Sequence, residues 1–325
     1  MLSLPQSCFE PDAGRKAEVP EPPFRWDRNR GSGSLSDAFS SREAVSTPDQ
    51  VRGRLSFENA LLVAELAGGR TILRRQHVGY PFHITRAFQL DRMRPDLATL
   101  YLQSTSGGLY AADRLALQVT VGAGAALHLT TPASTVVHDG GEEGSSVRHS
   151  VTVQDRAFCA IISDPYILFP GADLHIATIA TVAADAILIM AEGFAVHDPH
   201  RRGGTFARFA AETRIMRPDG QRLLVDRGSI SGNDLSGNGD ALGGMSAACS
   251  VLVIAPPGQL AEVAEIEAAA DQCGCLAGAT AAPNQAGLAM RLLAPDGGTL
   301  VRGVEAAFHV ASRAALGVDL APRRK

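Results

Sequence analysis

Three residues with the chemistry of metal ligands stand in one short segment of the chain: His197, Asp198 and His200. Two imidazoles and a carboxylate suit a first-row divalent metal ion. The same spacing fits a surface loop in which the two histidines occur by chance. The sequence therefore favours a surface loop here and keeps a metal site as the alternative.

Two cysteines, Cys273 and Cys275, are separated by a single residue. On a β-strand both thiols would point to one face and could bind a soft metal ion. Because no second cysteine pair completes a ligand set, a junction between a helix and a strand is favoured. The five cysteines of the chain are too few and too scattered for a disulfide framework, so we expect reduced thiols.

The sequence motifs of common enzymes are absent. The chain has no P-loop, no G-x-G-x-x-G, no H-E-x-x-H and no G-x-S-x-G. Other histidines sit singly in strand-like segments, where a packed or solvent-facing imidazole is the default expectation: His77, His83, His128, His149 and His175. None of them supports a catalytic assignment.

Charge and hydropathy limit the classes of partner. The net charge of −4 and the pI near 6.1 argue against nucleic acid, which normally requires a basic face. No apolar run approaches the roughly 20 residues of a membrane helix. The start, MLSLPQSCFEPD, has acids and prolines where a signal peptide needs a basic start and an apolar core. We therefore expect a cytoplasmic protein that does not enter a membrane.

The composition changes at about residue 51. Residues 1–50 mix Pro, Ser, Gly and charges of both signs without periodic apolar spacing, which predicts a disordered N-terminal tail. Residues 51–325 are expected to form one domain. Its β body covers about 51–245, and an α/β element covers about 246–325.

Short segments of alternating apolar and polar residues predict the β body. In RLALQVTV, Leu115, Leu117, Val119 and Val121 share one face, as in a half-buried strand. Similar runs recur between Gly, Pro and Asp turns, including VRHSVTV, DLHIAT, AILIM and QRLLV. Such a pattern is typical of a sandwich, a barrel or a stacked-sheet solenoid, and no fixed repeat period separates the three.

Helical spacing appears only near the C-terminus. Pro256 and Pro257 suit a helix start, and apolar residues then follow at helical intervals: Leu260, Val263, Ile266 and Ala270. A second helix fits a similar series: Leu300, Val304, Phe308, Ala311 and Ala315. Between the two, residues 289–293 are predicted to form a strand.

Several segments, taken in order, resemble the UreD (UreH) family of urease accessory proteins. They are GGRTILRRQHVGYPFHITRAF (68–88), STSGGLYAADRL (104–115), LTTPASTVVH (129–138), SDPYILFPGADL (163–174) and LLVDRGSISG (223–232). The resemblance covers about residues 51–325. It is specific because five or more collinear segments agree in order and spacing. The chain is identified as a divergent member of the family.

The chain departs from the family pattern at some motif positions. Ala111 and Ala112 stand where the family has glycine before Asp113, and Ser106 stands where it has proline. Asp226 replaces the usual Glu. These departures also fit a paralogue that has lost its partner or changed it.

The resemblance implies a mainly β fold, a stacked or helical arrangement of many short strands with a small C-terminal α/β element containing two helices. It also implies a non-enzymatic scaffold that binds UreF, UreG and apo-urease and assists nickel insertion. Assembly would be dimeric through the partner, with no tightly bound cofactor and only transient nickel. Carried over by motif, the residues of a polar nickel path would be Asp113, Ser134, Glu192 and Asp226.

Two other function classes remain as alternatives. A hydrolase or lyase on a stacked-sheet β fold would bring several acidic and basic side chains with perturbed pKa values into one cleft. A stand-alone metal-binding module would use the segment from His197 to His200 or the pair Cys273 and Cys275. Nickel binding by the purified protein that is lost on changing those residues would favour the module.

Overall fold

The computed structural model describes residues 59–235 and 243–323. The predicted N-terminal tail, residues 1–50, lies outside the described residues. The first ten strands are β1 (Ala60–Ala67), β2 (Arg70–Val78), β3 (Phe82–Ile84), β4 (Leu97–Ser104), β5 (Arg114–Val121), β6 (Ala126–Thr130), β7 (Val136–Val137), β8 (Ser145–Val153), β9 (Phe158–Ile162) and β10 (Tyr166–Leu168). They are followed by β11 (Asp173–Val182), β12 (Ile187–Val196), β13 (Arg208–Met216), β14 (Arg222–Ile230), β15 (Ala247–Ile254), α1 (Val263–Asp271), β16 (Leu276–Ala281), β17 (Gly287–Ala294) and α2 (Gly297–Leu316).

These strands form two sheets that pack face to face. The first sheet has the order β14-β13-β11-β8-β5-β1-β2. The second has the main order β16-β17-β15-β12-β9-β6-β4-β3, and β10 and β7 extend it beside β12. The C-terminal strands β15, β17 and β16 continue this second sheet, so the sheet runs across the predicted boundary near residue 246.

Successive long strands of the middle of the chain alternate between the two sheets. Strands β5, β8, β11 and β13 lie side by side and parallel in the first sheet. Strands β4, β6, β9 and β12 do the same in the second. The chain therefore winds as a coil that adds one strand to each sheet per turn. This confirms the predicted mainly β fold of stacked strands.

The two sheets differ in what covers their outer faces, and the sequence reflects it. In β11 (DLHIATIATV) nearly every second residue is buried, because only one face packs on the other sheet. In β12 (ILIMAEGFAV) almost all residues are buried, because α2 packs on the opposite face of that strand. Strands buried on both faces read as continuous apolar runs.

Both predicted C-terminal helices are present. The buried face of α2 contains all five residues of the predicted series. The helix begins where the Asp296 carboxylate accepts the Thr299 N–H at 2.8 Å and ends at Gly317, which has φ 71°. The predicted start of the first helix was wrong, because Pro257–Gln259 forms only a short 3-10 turn and α1 begins at Val263. The predicted strand at 289–293 lies within β17.

The space between the sheets is mostly apolar. Fully buried side chains from both sheets meet there, among them Leu62, Val119, Leu100, Leu127 and Leu188. Each such side chain stabilises the fold by about 1.5–3 kcal/mol, so this core fixes the sheet-to-sheet packing. No helix in the described part of the chain is both long and apolar enough to cross a lipid bilayer.

Candidate functional site: a polar layer between the sheets

One row of each sheet interrupts the apolar core with polar side chains. In the first sheet, pairing places four inward-facing residues side by side: His149, Thr178, Thr213 and Asp226. In the second sheet three residues are aligned in the same way: Glu192, Ser250 and Arg291. We call these seven residues the polar layer. A buried polar group costs free energy unless it is hydrogen-bonded, so its contacts decide whether the layer is tolerated.

Glu192 lies at the centre of the polar layer and contacts three strands of the opposite sheet. The Thr178 hydroxyl donates to its Oε1 at 3.1 Å, and the Thr213 hydroxyl donates to its Oε2 at 3.4 Å. The Nδ1 atom of His149 lies 3.5 Å from Oε1 and 3.2 Å from the Thr178 hydroxyl. The carboxylate is thus held between the sheets by neutral donors and one imidazole.

Asp226 forms the outer end of the polar layer. The Ser250 hydroxyl donates to its Oδ2 at 2.9 Å, and the Arg291 guanidinium forms an ion pair with its Oδ1. The same guanidinium donates to the Ser250 hydroxyl at 2.7 Å. The Arg291 side chain is 52% exposed, whereas the Glu192 side chain is only 12% exposed. The polar layer therefore runs from a solvent-accessible edge into the interior.

At its inner end the polar layer meets a cavity of about 60 Å³ between the sheets. Its polar lining consists of His149, Tyr166, Asp164, Ser163, Thr131, Thr135, Gln103 and Ser104. One buried water needs about 10–15 Å³ of volume measured in this way, so the cavity has room for a few waters. Burial, and then the charge of Glu192, raise the pKa of Tyr166, so its phenol stays neutral. The cavity is lined by equal numbers of polar and apolar residues, and it reaches the polar layer at His149, which contacts the Glu192 carboxylate.

A second, smaller space of about 10 Å³ shares Ser163 and Asp164 with this cavity. It lies toward α2 and is lined in part by Arg323, whose Nη1 is 3.8 Å from the Asp164 carboxylate. Burial raises the pKa of Cys249 in its wall to about 12, so the thiol remains protonated. Arg323 ties the C-terminal segment to the end of the cavity.

The structure brings together two of the four residues predicted for a nickel path. Glu192 and Asp226 both belong to the polar layer. Asp113 lies instead in the turn before β5, where its Oδ2 accepts the Tyr110 N–H at 2.8 Å. Ser134 lies in the loop before β7, beside the cavity-lining Thr135.

The predicted metal set at 197–200 does not converge. The Asp198 carboxylate accepts the backbone N–H groups of His200, Arg202 and Gly204 at 3.0, 2.7 and 3.2 Å, and therefore closes its own loop. The His197 ring packs against Phe169, with centroids 5.7 Å apart. Among the described residues, no group of three His, Cys, Asp or Glu side chains could hold a metal ion. The geometry of this segment is that of a surface loop closed by its own carboxylate.

The cysteine pair has separate surroundings. The Cys273 thiol points to the Ala269 carbonyl at 3.5 Å, and the Cys275 thiol points to the Thr299 carbonyl at 3.5 Å. The two residues lie between α1 and β16, at the expected junction of a helix and a strand. A junction of small residues between a helix and a strand therefore explains why two cysteines occur here.

Sequence reasoning missed most of the polar layer, including His149, although a signal was present. In VRHSVTV the inward phase is Val147, His149, Val151 and Val153, so the histidine interrupts an otherwise apolar face. Thr178 interrupts β11 in the same way. A polar residue at the buried phase of successive strands indicates a shared polar layer, which a single strand cannot reveal.

The comparisons with known proteins all lead to the same family. The model of the UreD urease accessory protein family matches residues 53–325. A protein named urease accessory protein UreD 1 from Bradyrhizobium sp. (strain BTAi1 / ATCC BAA-1182) is 60% identical over 266 residues, which cover 82% of this chain and 94% of that protein. A protein of the same name from Methylorubrum populi is 44% identical over 285 residues, covering 87% of this chain and 95% of the relative.

Proposed function

Because this chain belongs to the UreD family of urease accessory proteins, we propose that it is a non-enzymatic scaffold for urease maturation. In this role it binds apo-urease and a complex of UreF and UreG, with dimeric assembly through that partner. It assists nickel insertion by letting the ion pass through its interior. The relatives are named accessory proteins rather than enzymes, which supports a role without catalysis.

The observation that carries the proposal is the continuity of the polar layer with the cavity. A divalent cation can exchange water for carboxylate, hydroxyl and imidazole ligands at each step, and sites with few protein ligands release it again. We place Glu192 and Asp226 on the path itself. Ser134 lies beside the cavity, and Asp113 shapes the turn next to it. Of the four positions named by resemblance, the proposal thus keeps Glu192 and Asp226 as residues of the path.

Exposed apolar side chains support a scaffold that is covered by partners. The β1–β2 hairpin presents Leu66 and Ile72, exposed by 45% and 41%, and Tyr80 follows it at 75%. Exposed apolar surface is typical of protein interaction sites. The few, scattered cysteines of the sequence suit a reducing compartment, and we propose the cytoplasm.

Replacement of a host gene tests the proposed function. A urease-positive host that lacks its own UreD receives this chain together with the UreF and UreG that accompany it, and nickel bound per mole of purified urease is measured by atomic absorption. We expect restored nickel content and activity. Urease that remains nickel-free, although the chain is folded and expressed, would overturn the role in maturation.

Partner binding is tested separately by co-expression. We expect a tagged copy of the chain to co-purify with the UreF-like protein and to give a higher soluble yield in its presence. Equal yields and no co-purification would contradict the scaffold role. A variant with Leu66→Ser and Ile72→Ser serves to test whether the hairpin contributes to that surface.

A further inference from the structure

His149 lies at the point where the polar layer meets the cavity. Its side chain is 14% exposed, and its partner in the next strand of the first sheet is the buried Leu117. On one side the imidazole faces Glu192, and on the other it lines the cavity. A cation that leaves the carboxylate for the cavity therefore meets this ring.

The imidazole adds a kind of ligand that the remaining polar layer does not offer. The other groups around Glu192 are hydroxyls from Thr178, Thr213 and Ser250, and the Arg291 cation cannot bind a metal. Oxygen ligands suit Mg²⁺ and Ca²⁺, whereas an imidazole nitrogen favours ions such as Ni²⁺ and Zn²⁺. Discrimination against magnesium thus depends on the single nitrogen donor.

The distance between the two groups fits one shared ion. A first-row divalent ion such as zinc holds nitrogen and oxygen ligands at about 2.1 Å, so two adjacent ligands lie about 3.0–3.4 Å apart. The His149 Nδ1 and the Glu192 Oε1 are 3.5 Å apart. Without the ion, the His149 Nδ1–H donates to the Thr178 hydroxyl, whose own proton goes to Glu192. An arriving ion takes the place of the Nδ1 proton, which passes to solvent, and only a small movement of either side chain is then needed.

Building on the proposed nickel passage, we infer that His149 and Glu192 form a two-ligand transit site that selects a nickel-like cation against magnesium. Water from the cavity completes the coordination. With two protein ligands, the site binds weakly enough to release the ion. His149 is therefore a specificity-determining residue of the path, in addition to the carboxylates.

A direct test uses the purified full chain with nickel chloride as the probe. Paramagnetic Ni²⁺ should broaden the ring signals of His149 in an NMR spectrum of ¹³C-histidine-labelled protein, and excess magnesium chloride should not reverse it. His175, on the outer face of the same sheet, provides the internal control signal. Unchanged His149 signals at excess nickel, or equal broadening of all histidines, would overturn the inference.

Urease activation in the host assay gives the functional readout. We expect His149→Gln to raise the nickel concentration for half-maximal activation by about tenfold or more and to make activation sensitive to added magnesium. The matched control His175→Gln should behave as the parent. His149→Cys, which supplies another borderline-to-soft donor, should restore much of the selectivity.

The outcomes separate this inference from the proposed function. Normal urease activation by the His149→Gln chain together with impaired activation by the Glu192→Gln chain would contradict the transit site but not the nickel path. Normal activation by both variants would contradict the proposed nickel path as well. Thermal melting of each variant identifies loss of folding, and the NMR test on the unmodified chain does not depend on it.

Discussion

Removing the Glu192 side chain should destabilise the protein far more than removing its charge alone. Glu192→Ala leaves the Thr178 and Thr213 hydroxyls and the His149 ring without their acceptor. An unsatisfied buried donor costs about 1–3 kcal/mol, and the adjoining cavity lets water replace part of this. We therefore expect a loss of about 2–4 kcal/mol, or about 5–10 °C in melting temperature for a domain of this size.

Glu192→Gln provides the matched comparison. Its amide oxygen can still accept one hydroxyl hydrogen bond, so the expected loss is about 1 kcal/mol or less. Thermal and urea unfolding of the two purified variants measures both values. If Glu192→Ala were as stable as the parent, the contacts described for the polar layer would not hold in solution. If Glu192→Gln were the less stable of the two, the reasoning about acceptors would be wrong.

Three further predictions concern other parts of the fold. Ala112, which precedes Asp113, has φ 64°, so Ala112→Gly should raise the free energy of unfolding by about 0.5–1 kcal/mol, as measured in urea; a loss would contradict the left-handed conformation. Burial lowers the pKa of His128 to about 3, so the unfolded chain, with a histidine pKa near 6.5, binds the extra proton first and stability falls as pH drops below about 6.5. His128→Gln should reduce the stability lost between pH 7 and pH 5 by about 2 kcal/mol, and an unchanged pH dependence would refute a buried neutral ring. Replacing His197 and His200 by alanine should leave urease activation unchanged, because they do not form part of a ligand group; reduced activation would restore the metal-module alternative.

Local patterns predicted the fold well where each pattern belongs to one element. The alternation in RLALQVTV gives β5, and the spacing from Leu300 to Ala315 gives the buried face of α2. The pairing of strands distant in the chain was beyond such patterns. The alternation of consecutive strands between two sheets depends on contacts that no single segment encodes.

Local sequence patterns were limited in the same way for the candidate site. Glu192 and Asp226 were named from the family resemblance, and the structure places both in the polar layer. His149 looked like an isolated histidine, because its partners come from β11 and β12 and become neighbours only through register. The segment from His197 to His200 is the opposite case, since its residues are neighbours in sequence but their side chains have separate contacts. Its carboxylate is used by the loop backbone.

Nickel content of urease made with a Glu192→Gln chain tests the central claim most directly. The matched control is Glu212→Gln, which removes a carboxylate from the outer face of the first sheet, where it pairs with Arg214 and Arg227. Both chains are expressed to equal soluble levels in the host at limiting nickel, and nickel per active site is determined. We predict a several-fold lower nickel content with Glu192→Gln and parental content with Glu212→Gln. Equal nickel content with both variants would contradict passage of the ion through the polar layer.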